Sequence, residues 1–307
     1  MTALLADPIS KRHEPGPGHP ESPARFDAVV KGLAQFQLTP YAPRSATDEE
    51  VALCHTRQYI RTARHEVEEG FSELTTGDTN LSHETYDVAL RAVGTVLHAV
   101  DLVFTGLADN AFCVVRPPGH HASANRGMGF CMFNNIACGA RYAQRQHGAE
   151  RVMIVDWDVH HGNGTQDIFY DDGSVLFFST HQYPWYPGTG AAEETGEGKG
   201  RGMTLNCPLP SGAGRAEVWQ AFQETLKPAA EAFRPDLVMV SAGFDSRLGD
   251  PLGHFTLGDR DFADLTRVLR DIAAKHANGR LVSVLEGGYN LYGLTKAAQA
   301  HAAALQE

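Results

Sequence analysis

The sequence predicts an α/β fold in which helices cover both faces of a central, mostly parallel sheet. Between residues 111 and 285, short and wholly apolar segments alternate with longer segments of helical periodicity. Apolar strands that alternate with helices are typical of parallel sheets buried on both faces. No linker, low-complexity segment or internal repeat divides the chain, so we expect residues 1–307 to form a single three-layer domain.

The first third of the chain is predicted to be mainly helical. A Pro/Gly-rich loop leads into a helix, with Ser22 as the expected N-cap and Pro23 at the first helical position. Helical periodicity follows over 48–69 and again over 82–105, where Ser82 is the expected cap. This part of the chain therefore contributes helices to the outer layers of the predicted fold.

The rest of the chain alternates between strands and helices. The predicted strands are 111–115, 151–155, 175–179, 203–206, 237–240 and 281–285. The predicted helices lie near 134–147, over 214–233, over 259–277 and at the C-terminus. The glycine-rich segment 183–202 is longer than an ordinary connection, which makes it a candidate functional loop.

Composition and charge exclude several classes of function. The formal net charge of −11 comes without a basic stripe, which argues against general binding of nucleic acid. The same charge is compatible with cationic substrates such as lysine-rich peptides or polyamines. Five scattered cysteines without a C-x-x-C pair indicate a reduced, intracellular protein. No signal-peptide core or membrane-spanning apolar run is present, so we expect a cytoplasmic protein.

A segment of alternating acidic residues follows the strand predicted at 151–155. Asp156, Asp158 and His160 are spaced two apart, and in an extended chain they would share one face. Two carboxylates and an imidazole held together are costly to bury unless a cation or hydrogen bonds compensate. A divalent metal is the simplest compensation. Trp157 and Val159 alternate with these residues and are expected to lie in the core.

Four of the predicted strands end in residues of the kinds used in catalysis. In an open parallel sheet the ligand site lies beyond the carboxyl ends of the strands. The four segments that follow these strands are Arg116–His121, Asp156–His160, Ser241–Asp245 and Glu286–Tyr289. Each brings a group that can bind metal, move protons or donate to an oxyanion. Together they predict an active site at this edge of the sheet.

The residue types in these segments suit the metal-assisted hydrolysis of an amide. Three of them form a ligand set with an open position, as in catalytic zinc sites: Asp158, His160 and Asp245. His120 or His121 can take a proton from water and return one to the leaving amine. Asp156 can orient an imidazole, and Tyr289 can donate its hydroxyl to the developing oxyanion. This chemistry requires no nucleophilic serine or cysteine.

The same segments resemble the motifs of the zinc-dependent histone deacetylase family, which has the arginase/deacetylase fold. The matching motifs are His19-Pro20-Glu21 with Arg25, Arg116–His121, Gly129-Phe130-Cys131 with Phe133-Asn134-Asn135, Asp156–Gln166, Ser241–Asp245 and Leu285–Tyr289. The resemblance runs from about residue 13 to the C-terminus. Asn163 resembles class II members, because class I enzymes usually have aspartate at that position.

The resemblance also implies roles for the site residues. One zinc ion per chain would be held by Asp158, His160 and Asp245. His121 would be the main general base and acid, and His120 would be its electrostatic partner, supported by Asp156. Tyr289 would supply the hydroxyl that stabilises the transition state.

Further residues take positions around the site by the same resemblance. A narrow tunnel for an acyl-lysine side chain would be lined by Gly129, Phe130, Tyr186 and Leu252. Tyr186 stands where the family usually has a phenylalanine. Arg25 matches the arginine of an internal channel proposed for the exit of acetate.

Structural monovalent cations, with K⁺ as the expected ion, are also implied by the resemblance. One cation site would involve Asp156, Asp158, His160, Ser179 and Thr180. A second would involve Phe169, Asp172 and Val175. Both would use largely backbone carbonyl oxygens.

Two functions of this fold stay open at the level of the sequence. The first is removal of acyl groups from lysine in proteins or peptides, and the second is hydrolysis of acetylpolyamines, which are small acylated amines. Some polyamine-selective relatives have glutamate after an Asp-Pro pair, whereas Asp250-Pro251 is followed here by Leu252, which favours lysine. Association into a homo-oligomer is also left open.

Two further alternatives are disfavoured. A ureohydrolase of the arginase type needs two metals and the order Asp-x-His-x-Asp, whereas this chain reads Asp-x-Asp-x-His. A binding module without catalytic activity predicts the loss of a metal ligand, the base or the tyrosine. All of these residues are present.

Overall fold

A computed structural model describes residues 1–307, and one eight-stranded sheet runs through it. The strands are β1 (Thr2–Ala6), β2 (Thr39–Tyr41), β3 (Asn110–Val114), β4 (Val152–Asp156), β5 (Val175–Gln182), β6 (Thr204–Leu209), β7 (Leu237–Ala242) and β8 (Leu281–Leu285). Their order across the sheet is β2-β1-β3-β8-β7-β4-β5-β6, and every pairing is parallel. The predicted α/β fold is confirmed. The domain boundaries at residues 1 and 307 stay a prediction.

Helices cover both faces of this sheet. The α-helices are α1 (Ala24–Leu33), α2 (Asp48–Val51), α3 (Arg57–Glu68), α4 (Thr85–Phe104), α5 (Asn135–His147), α6 (Asn163–Phe169), α7 (Arg215–Ala221), α8 (Lys227–Phe233), α9 (Asp259–His276) and α10 (Leu291–Gln306). The buried apolar residues form two hydrophobic clusters, and consecutive strand residues belong to different clusters. In β4, for example, Ile154 belongs to one cluster and Val155 to the other. Because successive strand residues point to opposite faces, the sheet has an apolar core on each side. None of the helices combines the length and apolarity needed to cross a membrane.

The start predicted for the first helix is wrong in detail. Helix α1 begins at Ala24 with Pro23 as its N-cap, and no side chain caps it. Ser22 instead lies in the preceding turn, where its carbonyl accepts the N–H of Arg25 at 3.0 Å. The fixed φ of proline suits the first turn of a helix, so Pro23 can begin the helix without a serine cap.

Three other helix predictions are also corrected. The region 48–69 divides into two helices, because α2 ends at Val51 and Thr56 caps the start of α3. The expected cap Ser82 bonds to Thr85 Oγ1 at 2.9 Å, and α4 begins only at Thr85. A π-helical turn at Phe222–Leu226 interrupts the helix predicted over 214–233.

Three elements were absent from the sequence prediction: β1, β2 and α6. Strand β1 pairs with β3, more than 100 residues away, and β2 pairs only with β1 at the edge of the sheet. Helix α6 begins directly after the acidic segment that follows β4. These short elements depend on tertiary pairing and carry little periodicity of their own.

The sheet topology places the four polar segments side by side. They follow β3, β8, β7 and β4, which are consecutive neighbours in the middle of the sheet. In the sequence, the same segments are separated by up to about 170 residues. Parallel pairing therefore collects them at one edge, as the rule for open α/β sheets predicts.

Candidate active site

Three buried side chains converge beyond the ends of β4 and β7. One ligand atom from each of Asp158, His160 and Asp245 lies within 4.8 Å of the other two. His160 Nδ1 lies 2.9 Å from Asp158 Oδ1 and 3.2 Å from Asp245 Oδ2. Asp245 Oδ2 is buried without a hydrogen-bond partner. Two carboxylates, an imidazole and an orphaned oxygen fit a catalytic zinc ion, which takes three protein ligands.

Burial and mutual charge shift the pKa values in this cluster. Burial, with the nearby charge of Asp158, raises the pKa of Asp245 to about 7. Burial disfavours charged His160, but the hydrogen bond to Asp158 and the nearby charges of Asp158 and Asp245 outweigh that and raise its pKa to about 10. The cluster therefore attracts positive charge strongly.

The backbone holds both carboxylates in place. Asp158 Oδ2 accepts the N–H of Gly287 at 2.8 Å, and Asp245 Oδ1 accepts the N–H of Val159 at 2.9 Å. A Cβ atom at Gly243 would overlap the Asp158 carboxylate, and one at Gly287 would overlap the carboxylates of both aspartates. Glycine is thus required at both positions because the strand ends approach the ligands so closely.

The extended-chain argument for this segment is only partly correct. Strand β4 ends at Asp156, and the two ligands that follow it lie in a bend. The bend is closed by the N–H of Asp158 on Asp156 Oδ1 at 3.0 Å and the N–H of His160 on Asp158 Oδ1 at 2.9 Å. The prediction that Trp157 and Val159 lie in the core is confirmed, because neither is exposed.

The two neighbouring histidines differ in their partners. His120 Nδ1 lies 2.9 Å from Asp156 Oδ2, whereas His121 Nδ1 lies 2.8 Å from Asn163 Oδ1. Burial disfavours charged His120, but the Asp156 carboxylate holds its pKa well above the ordinary value. Burial and the charge of His120 hold the pKa of His121 well below it. His120 is therefore cationic at neutral pH, and His121 is neutral and able to accept a proton.

A cavity of about 250 Å³ leads to these groups. All four residues expected to form the tunnel line it: Gly129, Phe130, Tyr186 and Leu252. His121, His160 and Tyr289 also line it, which places the predicted base, a predicted metal ligand and the predicted hydroxyl donor in one space. Apolar walls with a few convergent polar groups are typical of small-molecule sites.

Comparison with known proteins identifies the family. The model of the histone deacetylase domain matches residues 19–305 of the chain. The chain belongs to the histone deacetylase family. Its domain is that of a hydrolytic deacetylase, which acts on acetylated substrates.

Individual relatives agree with this family. A protein of Archaeoglobus fulgidus named a probable deacetylase is 41% identical over 95% of this chain and 82% of its own length. The human protein named polyamine deacetylase HDAC10 is 40% identical over 90% of this chain, which spans only 43% of that protein. The crystal structure of the HDA15 HD domain has a TM-score of 0.94 and 38% identity, and the match covers 100% of this chain and 90% of that one.

Two residues of this deacetylase cavity were missed by the sequence analysis. Asp78 lines the cavity, and its Oδ1 accepts the N–H of Gly129 at 2.7 Å and the hydroxyl of Tyr186 at 3.0 Å. Trp185 also lines it and donates its indole N–H to the carbonyl of Leu252 at 2.9 Å. Asp78 follows no predicted strand, so only its position in the sequence next to Gly77 hinted at a turn.

Glu286 was noted at a strand end but received no role. Its carboxylate accepts the backbone N–H of Gly119 at 2.7 Å and that of His120 at 3.2 Å. Burial raises the pKa of this carboxyl to about 7. The end of β8 thus holds the backbone that carries the histidine pair of this family.

Arg25 lies directly behind the tyrosine of the site. Its guanidinium carbon is 4.9 Å from the centre of the Tyr289 ring, and its Nε donates to the carbonyl of Gly288 at 2.7 Å. Its Nη1 forms an ion pair of 2.9 Å with Glu21, which also pairs with Arg116 at 2.5 Å. The exit-channel role that the family implies for Arg25 stays a prediction.

The residues expected to hold structural cations lie in two places. Ser179 pairs in register with Asp156, and Thr180 follows it on buried β5. Asp172 accepts the hydroxyl of Ser174 at 2.6 Å and forms an ion pair with Arg141. The other two members stand at the end of α6 and the start of β5: Phe169 and Val175.

Proposed function

We propose that this chain is a zinc-dependent amidohydrolase that removes acyl groups, acetyl above all, from the ε-amine of lysine in proteins or peptides. The observation that carries the proposal is one cavity lined by His121, Tyr289 and His160, the last of which also belongs to the cluster with Asp158 and Asp245. One zinc ion would be held by Asp158, His160 and Asp245. When bound there, zinc polarises the amide carbonyl and lowers the pKa of water.

His121 is the proton carrier in this proposal. Its Nδ1 faces the amide oxygen of Asn163, which can only accept, so Nδ1 carries the proton. Nε2 is then left with a free lone pair that can take a proton from water and pass it to the leaving amine. A neutral amide partner supports the neutral ring, whereas a carboxylate would favour the charged form.

His120 and Tyr289 stabilise charge around that proton transfer. His120 stays cationic beside Asp156 and offsets the negative charge that develops on the substrate oxygen. Burial holds the pKa of the Tyr289 hydroxyl well above its ordinary value, so the group keeps its proton and acts as a donor. Packing against the Phe130 ring, at 6.0 Å between centroids, aims the tyrosine into the tunnel.

The shape of the cavity favours a linear acyl-lysine side chain. Gly129 and Phe130 form one wall, and Leu252 presents an apolar side chain where a polyamine would need a counter-charge. The alternative substrate is an acetylpolyamine. One observation favours it: the carboxylate of Asp78 lines the same cavity and could form an ion pair with an ammonium group of the polyamine. Lysine and polyamine substrates therefore have to be compared directly.

The test is a panel assay on the purified holoenzyme with metal quantification. We expect one zinc per chain, and faster turnover of acetyl-lysine peptides than of N-acetylputrescine. Faster polyamine turnover would reverse the substrate preference, and two manganese ions per chain would contradict the zinc assignment. Longer acyl groups in the same panel would define the preferred chain length.

Potassium and the cytoplasmic location belong to the same proposal. The resemblance of Ser179, Thr180 and Asp172 to family positions supports structural K⁺, and the unpaired cysteines support a reducing compartment. Thermal unfolding in potassium, compared with choline at equal ionic strength, tests the first point. An equal melting temperature in the two salts would contradict it.

A further inference from the structure

Asp250, in the connection between β7 and α9, gathers three backbone donors with one carboxylate. Its Oδ1 accepts the N–H of Leu252 at 3.0 Å. Its Oδ2 accepts the N–H of Tyr289 at 2.7 Å and that of Asn290 at 3.1 Å. The residue is only 9% exposed. Hydrogen bonds to an ionised carboxylate are stronger than neutral ones, so this is a firm junction between two segments.

The two segments joined by Asp250 carry different parts of the proposed site. Leu252 lines the tunnel, and Tyr289 supplies the proposed hydroxyl. A second bond supports the junction, because Asn290 Nδ2 donates to the carbonyl of Gly249 at 2.9 Å. Asn290 also caps α10 by accepting the N–H of Gly293 at 3.0 Å. The backbone of Tyr289 is therefore held between Asp250 and the start of a helix.

The two residues before Tyr289 are glycines, so no side chain of this segment can make contacts that hold it in place. Gly287 and Gly288 precede the tyrosine, and Gly288 has a φ of +119°, a conformation that other residues rarely adopt. The ring contacts Arg25 and Phe130, and Arg25 Nε donates to the Gly288 carbonyl of the same peptide unit at 2.7 Å. Asp250 supplies the hydrogen bond to the N–H of Tyr289 itself.

We propose that Asp250 is a positioning residue that sets the place of the Tyr289 hydroxyl in the proposed reaction. The inference rests on the proposed function, because the hydroxyl matters only if it donates to the transition state. Asp250 itself touches neither the metal ligands nor the substrate in this assignment. A misplacement of about 1 Å at a reacting group can lower the rate about 100-fold, so the loss of this anchor has a measurable effect.

The experiment is a double-mutant cycle on the zinc-loaded full chain with Asp250→Asn, Tyr289→Phe and the double variant. Asparagine keeps the size but places an N–H₂ group among three N–H donors. We expect Asp250→Asn to lower kcat about 10- to 100-fold with KM changed less than about threefold. In the Tyr289→Phe background the same change should cost less than about threefold, because the hydroxyl is already gone.

A matched control removes a charge from the same connection. Asp259 pairs with Arg247 at 2.6 Å, at the start of α9, and has no bond to the tyrosine segment. We expect Asp259→Asn to leave kcat within about twofold. Asp250→Asn should retain its zinc content and stay folded well above the assay temperature, although its melting temperature falls, which separates positioning from a general loss of folding.

The outcomes distinguish this inference from the proposed function. The positioning role would be overturned if the fold-losses of kcat in the two single variants simply multiply in the double variant. An unchanged kcat in Asp250→Asn would also overturn it. An inactive wild-type enzyme on every substrate would instead overturn the proposed function. A crystal structure of Asp250→Asn decides the inference independently of activity, since an unmoved Tyr289 backbone would contradict it and a displaced one would support it.

Discussion

Two groups of buried carboxylates differ in how their charge is balanced. Glu21 lies between Arg25 and Arg116, at 2.9 and 2.5 Å, and all three side chains are fully buried. Asp158 and Asp245 lie together and form direct ion pairs with imidazoles alone. The first group has its cations within the chain, and the second is proposed to bind a metal ion from solution. The comparison separates a structural cluster from a functional one.

The pKa values of Glu21 and Asp158 are lowered, whereas that of Asp245 is raised. Burial alone would raise the pKa of Glu21, but the charge of Arg116 holds it well below the ordinary value of 4.5. Burial and the charge of Asp158 raise the pKa of Asp245 from 3.8 to about 7. Permanently charged guanidinium groups stabilise a carboxylate at any accessible pH, whereas an imidazole can lose its proton. Four experiments test this difference.

Asp245→Asn should have the largest effect. The amide keeps the acceptor for the N–H of Val159 but removes a charged zinc ligand. We expect at least about a 10³-fold loss of kcat/KM, since a bound metal supplies several kcal/mol in the transition state. Zinc content, measured on the same samples, should fall with activity. Full activity with one zinc per chain would contradict the ligand assignment.

Glu21→Gln should be the most destabilising of these changes while leaving zinc content intact. Breaking a buried ion pair typically costs about 3–5 kcal/mol, because Arg25 and Arg116 lose their counter-charge. The measurement is the free energy of unfolding in urea. Glu49→Gln is the control, since the Glu49–Arg57 pair is 66% and 65% exposed and solvent screening leaves it little effect on stability. Equal losses in both variants would refute the distinction between the pairs.

Removal of the metal should destabilise the wild type but not Asp245→Asn. A metal that binds only the folded state adds about 2.7 kcal/mol at a free concentration 100 times its Kd. We therefore expect chelation to lower the melting temperature by about 5 °C or more, and added zinc to restore it. A similar shift in Asp245→Asn would mean that the metal binds elsewhere.

The smallest expected effect is on the pH dependence of the free energy of unfolding, measured with the chelator present. Asp245 and Glu21 should contribute slopes of opposite sign. Because folded Asp245 has the higher pKa, it binds more protons than the unfolded chain between pH 3.8 and about 7, and stability falls as pH rises through that range. Folded Glu21 has the lower pKa, so its contribution is present above pH 4.5 and is lost as pH falls. Each slope is at most about 1.4 kcal/mol per pH unit. Asp245→Asn should remove only the first slope and Glu21→Gln only the second, and slopes unaffected by these variants would contradict the assignment.

Much of the fold could be predicted because its strands are buried on both faces. The apolar segments at 152–155 and 281–285 are recognisable without any long-range information. β1 and β2 escaped prediction because their pairing partners, not their composition, define them. The helix over 48–69 was predicted as continuous because periodicity does not reveal where Thr56 begins a new cap.

The candidate site could be predicted in its residue types but not in its supports. The carboxylates and histidines at the strand ends can be recognised in the sequence, because burying such groups costs free energy and is unexpected there unless they have a function. Asp78, Trp185 and Asp250 are ordinary surface residues in the sequence. Their importance depends on hydrogen bonds to residues 39 to 108 positions away, at the tunnel walls and at the tyrosine.

By itself, the sequence determined the parallel sheet and the chemistry gathered at its edge. Local composition is sufficient for that, because apolar strands pack on both faces and strand ends meet at one side. Only the tertiary structure decided the partner of each aspartate: Asp158 contacts His160 in the proposed ligand cluster, whereas Asp156 contacts His120. The bend after β4 separates two carboxylates that an extended chain would have placed together. Gly287, which follows β8, donates its N–H to Asp158 and so helps to hold this bend in place.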